Sequence, residues 1–303
     1  GLPGVRFFGD VEVGRDVTLG ELRSSYSAVL LTHGAQGDEA LNVPGASPGS
    51  VRSAREMVAW YNGVPDVPAD AFDLQQAHVV IIGNGNVAID IARLLCRPVE
   101  ALATTDISDR ALRALRASRV QHVHLIGRRG PAQARFTKRE LRELGELPGV
   151  ALHVEAADLQ LNEATRIELE HPLADQAQRN LATISDWAQR PTEPDPRRTL
   201  HLHFYLGVEA VEHDAQGQSW LVLRRSRLVG EPFTQRLQAT DEYVRLRCDL
   251  LIASIGFRVK SLPGLELSAS PGLPNADGRV LDAQGGRWQG CMSPAGRDAG
   301  PRA

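Results

Sequence analysis

The stretch from Ala77 to Leu95 limits this chain more than any other. His78-Val79-Val80-Ile81-Ile82 reads as a continuous apolar run, the pattern of a strand buried on both faces of a parallel sheet. Gly83-Asn84-Gly85-Asn86 is a tight turn. Val87 to Leu95 then carries apolar residues on most faces, as a helix packed on a sheet does. Strand, glycine turn and helix in that order predict an α/β fold with a parallel, doubly wound, Rossmann-like sheet.

The turn also carries a motif. Gly83-Asn84-Gly85-Asn86-Val87-Ala88 matches G-x-G-x-x-A, and its place between strand and helix is the context a dinucleotide site requires. Gly83 permits the tight turn. Gly85 removes a Cβ where a pyrophosphate would approach, and Ala88 lets the helix pack closely on the strand. The phosphates would face the amide groups and positive end of the helix dipole. An ordinary glycine-rich strand–helix turn is the competing reading.

The second strand decides which dinucleotide. Val120 to Ile126 alternates apolar and polar residues and leads into Gly127-Arg128-Arg129-Gly130-Pro131. An NAD site places an acid after that strand for the ribose hydroxyls. Here two guanidinium groups stand instead, which suits the 2′-phosphate of NADP(H) through charge-assisted contacts. A solvated basic loop is the alternative. Glu140 has two readings. In Thr137-Lys138-Arg139-Glu140 it fits a capping box, or it contacts the adenosine ribose.

Elsewhere the pattern is plainer. Residues 26–32 read as a buried strand closed by Gly34, and residues 53–61 as a helix with Ser53 as N-cap and Glu56 at capping-box spacing. Residues 108–119 form an amphipathic helix, residues 137–144 another, and residues 151–154 a strand. Residues 200–206 and 219–225 read as strands of an antiparallel insertion. Residues 248–254 read as a buried strand.

Composition removes whole classes of function. The formal net charge is −3 and the pI about 6.3, which argues against a general nucleic-acid or membrane-surface binder. No apolar run is long enough to span a membrane. Cys96, Cys248 and Cys291 lie far apart, with no CxxC and no Cys/His cluster, so neither a redox dithiol nor a structural zinc site is expected. His33, His78, His122 and His124 are scattered and read as structural, and Asp90 as a local hydrogen-bonding group. No acid–base constellation stands out, and hydride transfer to a flavin needs none. The chain opens at Gly1-Leu2-Pro3-Gly4 without Met, as a fragment or processed form would.

Several stretches, in order, resemble the adrenodoxin-reductase family of ferredoxin–NADP reductases. They are residues 11–17, Ser53-Ala54-Arg55-Glu56 with Trp60-Tyr61-Asn62-Gly63, the turn at Gly83 through Asp90, and Thr105-Asp106-Ile107. Gly127-Arg128-Arg129-Gly130-Pro131 with Phe136-Thr137, Ser254-Ile255-Gly256, and Pro274-Asn275 with Gly278-Arg279-Val280 complete the series. The resemblance covers about residues 1–282. It implies an NADPH domain, about residues 38–262, inserted in an FAD domain. Residues 1–37 would end the first FAD-domain segment, and residues 263–303 would begin its return with a divergent tail from 283 to 303.

In the family, NADPH passes hydride to FAD, which hands single electrons to a small iron–sulfur ferredoxin. The family's NADP positions carry over onto Asn84, Gly85, Asn86, Val87, Arg128, Arg129 and Glu140, which puts the ribose reading of Glu140 level with the cap reading. The family's own FAD-pyrophosphate motif lies upstream of Gly1, so this chain alone is expected to bind NADPH and hold FAD poorly. From Arg110 to Arg142 ten basic residues stand against the single acid Glu140. They are expected either to solvate helix faces or to dock an acidic ferredoxin. A non-enzymatic NADPH-binding module and an electron-transfer subunit of another flavoprotein complex are the rival readings. The resemblance implies the mitochondrial matrix for a eukaryotic source and the cytoplasm for a bacterial one.

Overall fold

The computed structural model describes residues 3–35, 37–47, 49–191, 194–260, 262–265, 275–277 and 279–281. The chain divides into two compact units, Ala40–Ile255 and Gly1–Glu39 with Gly256–Ala303. The outer unit begins with α1 (Leu19–Ser25) and β1 (Gly37–Asp38). The inner unit opens with β2 (Val51–Ser53), α2 (Ala54–Tyr61), β3 (His78–Ile82), α3 (Asn86–Cys96), α4 (Val99–Leu102) and α5 (Asp109–Arg116). It continues with β4 (His122–Ile126), α6 (Lys138–Gly145), β5 (Val150–Val154), α7 (Glu163–Glu170) and α8 (Asp175–Gln189). It closes with β6 (Arg198–His203), β7 (Leu206–His213), β8 (Ser219–Val229), β9 (Arg236–Arg247) and β10 (Leu250–Ala253). The outer unit resumes with β11 (Phe257–Arg258), β12 (Asn275–Ala276) and β13 (Arg279–Val280).

Within the outer unit, a capping box starts α1. Thr18 Oγ1 accepts from the Glu21 amide and Glu21 accepts from the Thr18 amide. β1 and β11 pair antiparallel, with an Arg258–Glu39 ion pair of 2.6 Å beside them. The divergent tail from 283 to 303, Cys291 included, lies outside the described residues.

The inner unit holds a six-stranded sheet in the order β2-β10-β3-β4-β6-β5. Every pair in it is parallel, so the α/β class with a Rossmann-like sheet stands. Strand alternation divides its side chains between two layers. Val79, Ile81, Val123, Leu125, Leu200, Leu202 and Ile252 join one core cluster with residues of α2, α3, α5, α6 and α8. Val80, Ile82, Ile126 and Leu251 join a second cluster with Leu206, Leu221 and Leu223. Those last three come from the antiparallel sheet β7-β8-β9. The second face therefore carries a sheet where a doubly wound fold would carry helices.

Two sequence expectations are corrected. Residues 26–32 form no strand, and Leu30 is 87% exposed. An apolar tetrad becomes a strand only beside a pairing neighbour, and no described strand pairs with it. Residues 200–203 do not belong to an antiparallel insertion, which begins only at Leu206. β6 is an interior strand of the parallel sheet, between β4 and β5. Its residues alternate buried and half-buried, which imitates a strand with one wet face. Tyr205, with φ of 58°, then turns the chain into β7.

Helices α7 and α8 escape the sequence reading. The inward face of α8 rests on only Asn180, Ile184 and Trp187, too sparse a stripe to stand out among its polar residues. At α2 the expected capping box is half formed. Ser53 Oγ accepts from the Glu56 amide at 2.9 Å, while the Glu56 carboxylate turns to Arg52.

Candidate functional site

The C-terminal ends of the central strands meet at Gly83. Its amide donates to the Ile126 carbonyl at 2.8 Å, and the Ser254 amide donates to the Ile82 carbonyl at 2.8 Å. Gly83 has φ of 136°, and a Cβ there would lie 2.1 Å from the Ser254 carbonyl oxygen. Only glycine meets both conditions. The chain then turns directly into α3.

Gly85 is the N-cap of α3 and offers no side-chain cap. A Cβ on Gly85 would meet no atom within 4 Å, so open space lies in front of the helix. The first amides of a helix have no intrahelical acceptor. Among the described residues nothing accepts from the Asn86, Val87 or Ala88 amides. Val87 packs half-buried on the helix-side core and Ala88 is wholly buried, so the helix sits tightly on β3. The result is an unblocked array of donors at the positive end of an 11-residue helix, the arrangement that binds phosphate.

The segment after β4 is latched to this turn. The Arg135 amide donates to the Asn84 carbonyl at 3.0 Å, and the Thr137 amide donates to Asn86 Oδ1 at 2.9 Å. A Cβ on Gly127 would fall 1.5 Å from Asn84 Nδ2, so the Asn84 side chain rests against the Gly127 backbone. The Tyr205 amide donates to the Arg129 carbonyl and the Leu206 amide to the Gly127 carbonyl. Arg128 and Arg129 ride on this braced loop. Both are exposed, and among the described residues neither guanidinium makes an ion pair or hydrogen bond.

Glu140 lies in the first turn of α6. The cap reading fails: the Thr137 side chain makes no cap hydrogen bond, and its amide is already taken by Asn86. Glu140 Oε2 is buried and has no hydrogen-bond partner. An orphaned buried acceptor invites a ligand or water. Burial raises the Asp90 carboxyl, and Glu140 adds to this while Arg93 opposes it. Arg93 holds Asp90 at 3.5 Å and Glu143 at 2.5 Å, so Asp90 belongs to a local charge network.

The Asn86–Thr137 bond can be tested alone. Asn86→Ala leaves a half-buried amide unpaired and is expected to lower stability by about 1–2 kcal/mol. Asn86→Asp, which keeps the acceptor, should recover most of it. Urea unfolding of both variants measures the difference, and equal losses would show that the latch contributes nothing.

No family model matches the chain. Curated relatives do. NADPH-ferredoxin reductase FprA of Mycobacterium tuberculosis is 38% identical over 282 residues, covering 92% of this chain and 60% of the relative. Human mitochondrial NADPH:adrenodoxin oxidoreductase is 38% identical over 287 residues, covering 92% of this chain and 58% of the relative. The solved structure of M. tuberculosis FprA in complex with NADPH superposes with a TM-score of 0.81 at 36% identity, over 93% of this chain and 62% of that one. Over nine tenths of its length the chain is similar to proteins of the adrenodoxin-reductase family. It spans about three fifths of the length of these relatives.

One feature of the chain is missed from the sequence. His33, His78, His122 and His124 look scattered along the chain, yet the sheet gathers His78, His122 and His124 with His201 and His203. His78 and His122 stack at 4.6 Å between ring centroids, and His124 and His201 at 4.4 Å. The signal was present as a doubled His-x-His at strand period, His122-Val123-His124 and His201-Leu202-His203. It becomes legible only once β4 and β6 are known to be neighbours.

Proposed function

We propose that the inner unit binds NADPH, with its pyrophosphate on the glycine turn and its 2′-phosphate on Arg128 and Arg129. The observation that carries this reading is the pairing of free helix amides at Asn86–Ala88 with two unpartnered guanidinium groups on the loop latched beside them. Asn84, Gly85, Asn86 and Val87 would line the pyrophosphate. Glu140, with its orphaned oxygen, is the candidate for a ribose hydroxyl.

In the whole protein this unit would serve a reductase that passes electrons from NADPH through FAD to a small iron–sulfur ferredoxin. FAD, when bound, accepts hydride as a pair of electrons and releases them singly. Among the described residues there is no second strand–glycine–helix turn to take an FAD pyrophosphate. The exposed Arg113 and Arg116 on α5 suit an acidic ferredoxin electrostatically. Arg110, by contrast, is occupied by the Val64 and Val67 carbonyls. A eukaryotic source would put this reductase in the mitochondrial matrix, a bacterial one in the cytoplasm.

The second reading is a nucleotide-binding module without reductase activity of its own. Titration calorimetry of the chain with NADPH and with NADH tests the shared premise. NADPH is expected to bind at one per chain and about 100-fold tighter than NADH, the equivalent of about 2.7 kcal/mol. Equal affinities would overturn the 2′-phosphate assignment. NADPH-dependent reduction of a ferredoxin then separates reductase from module.

A further inference from the structure

The geometry points to a metal site that the nucleotide reading does not use: His124, His201 and His203 form a three-imidazole pocket for a divalent transition-metal ion of the zinc class. One nitrogen from each ring lies within 4.8 Å of those from the other two. His124 is buried, while His201 and His203 are half-buried. His124 Nδ1 and His203 Nε2 stand 3.1 Å apart. Two nitrogens bound to one tetrahedral zinc at 2.0–2.1 Å are separated by about 3.3 Å, so this pair needs almost no movement to share an ion.

The sheet explains why these rings converge. His124 is the register partner of His201 across the parallel β4–β6 pair, and Ile126 is the partner of His203. Residues two apart on a strand share a face. Val123, Leu125, Leu200 and Leu202 point into the helix-side core, so the three histidines stand together on the opposite face. Three ligands on rigid strands leave a fourth coordination position for water, the usual form of an open imidazole site.

Neighbouring imidazoles already brace two of the rings. His78 Nδ1 lies 3.4 Å from His124 Nε2, and His122 Nδ1 lies 3.2 Å from His201 Nε2. The His78 contact falls on the His124 nitrogen turned away from His203, and contacts of that kind fix tautomer and ring orientation in metal sites. The protonation state also suits a cation. Burial, helped by the neighbouring imidazoles, pushes His124 down to about 2 and His201 down to about 3. Burial takes His203 down to about 4, against the opposing pull of Asp158. Neutral imidazole is the ligating form, and burial favours that form. Imidazole donors without thiolate favour zinc, copper, nickel and iron over calcium or magnesium.

Cobalt(II) titration of the tag-free 303-residue chain, stripped with a chelator, tests the site. One cobalt per chain is expected, with the visible bands of a four- or five-coordinate nitrogen site, and equimolar zinc should displace it. His201→Gln and His203→Gln should each weaken cobalt binding by at least about 100-fold, beyond the ~10–100-fold typical of losing an outer-shell partner. His171→Gln, at an exposed position off the sheet, should change nothing. Should either sheet variant fail to fold in chelator, X-ray absorption of the zinc-loaded wild type decides instead. Three imidazole nitrogens at about 2.0–2.1 Å support the site. No cobalt binding, binding retained in both variants, or fewer than three imidazoles at zinc would overturn it.

Discussion

Replacing Arg128 and Arg129 together by alanine is expected to weaken NADPH binding about 100-fold while leaving NADH affinity within about threefold. Hydrogen bonds to a charged group are worth about 1.5–3 kcal/mol each when formed in place of water contacts. Both side chains are exposed, so solvent screening keeps the pair near the low end of that range. Two such contacts give roughly 3 kcal/mol, which is two decades of affinity. The fold should not notice, because neither guanidinium holds any other described residue. Calorimetric titration of the variant with both nucleotides, beside its melting curve, reads all three quantities. A parallel loss for NADPH and NADH would mean the arginines shape the loop rather than read the extra phosphate.

The two glycines of the turn should behave oppositely when changed to alanine. Gly83→Ala forces a Cβ into a backbone with φ of 136° and to within 2.1 Å of the Ser254 carbonyl oxygen. Strained backbone alone costs about 1–3 kcal/mol, and the contact with a fixed carbonyl adds to it. A loss of about 3 kcal/mol or more is expected, a fall in melting temperature of about 6–12 °C for a domain of this size. Gly85→Ala meets nothing within 4 Å and keeps an ordinary φ of −116°. Alanine is the poorer N-cap by about 1 kcal/mol but restricts the unfolded chain by about 0.4–1 kcal/mol, so the net loss of stability should stay below about 1 kcal/mol. The new methyl group would stand where the pyrophosphate approaches, so NADPH affinity should fall instead. Calorimetric melting and nucleotide titration of the two variants separate these effects. A Gly85→Ala protein that binds NADPH normally would remove the phosphates from this turn.

The parts of the fold legible in the sequence are those where one run of residues carries its own explanation. β3 announces itself because both faces are buried, and α3 because its apolar residues follow a glycine that no other residue can replace. Ser53 marks its helix through a side chain that accepts from the amide three residues on. What stayed hidden depends on neighbours distant in sequence. β6 reads as a half-wet strand because its outward positions hold His201 and His203, and histidine does not register as interior. The tetrad Ala28-Val29-Leu30-Leu31 has the composition of a strand but no described partner. The failure of the Glu140 cap could not be foreseen locally, since Asn86, 51 residues upstream, takes the amide that the box requires.

The candidate site follows the same division. Its glycines and arginines are read directly from the order strand, turn, helix, strand, basic loop. The openness before α3 and the buried oxygen of Glu140 are properties of packing that no spacing rule contains, and the paired His-x-His spacing acquires meaning only once β4 and β6 are neighbours.

The bonds from the Arg135 amide to the Asn84 carbonyl and from the Thr137 amide to the Asn86 side chain carry a kinetic consequence. A receptor whose two walls are already stitched together has little left to order when its guest arrives. Little entropy is then lost in arranging the loop, and association should proceed in one step whose rate follows nucleotide concentration without levelling off. The loop's main chain would hold its shape before and after, and the guest would find a mould rather than make one.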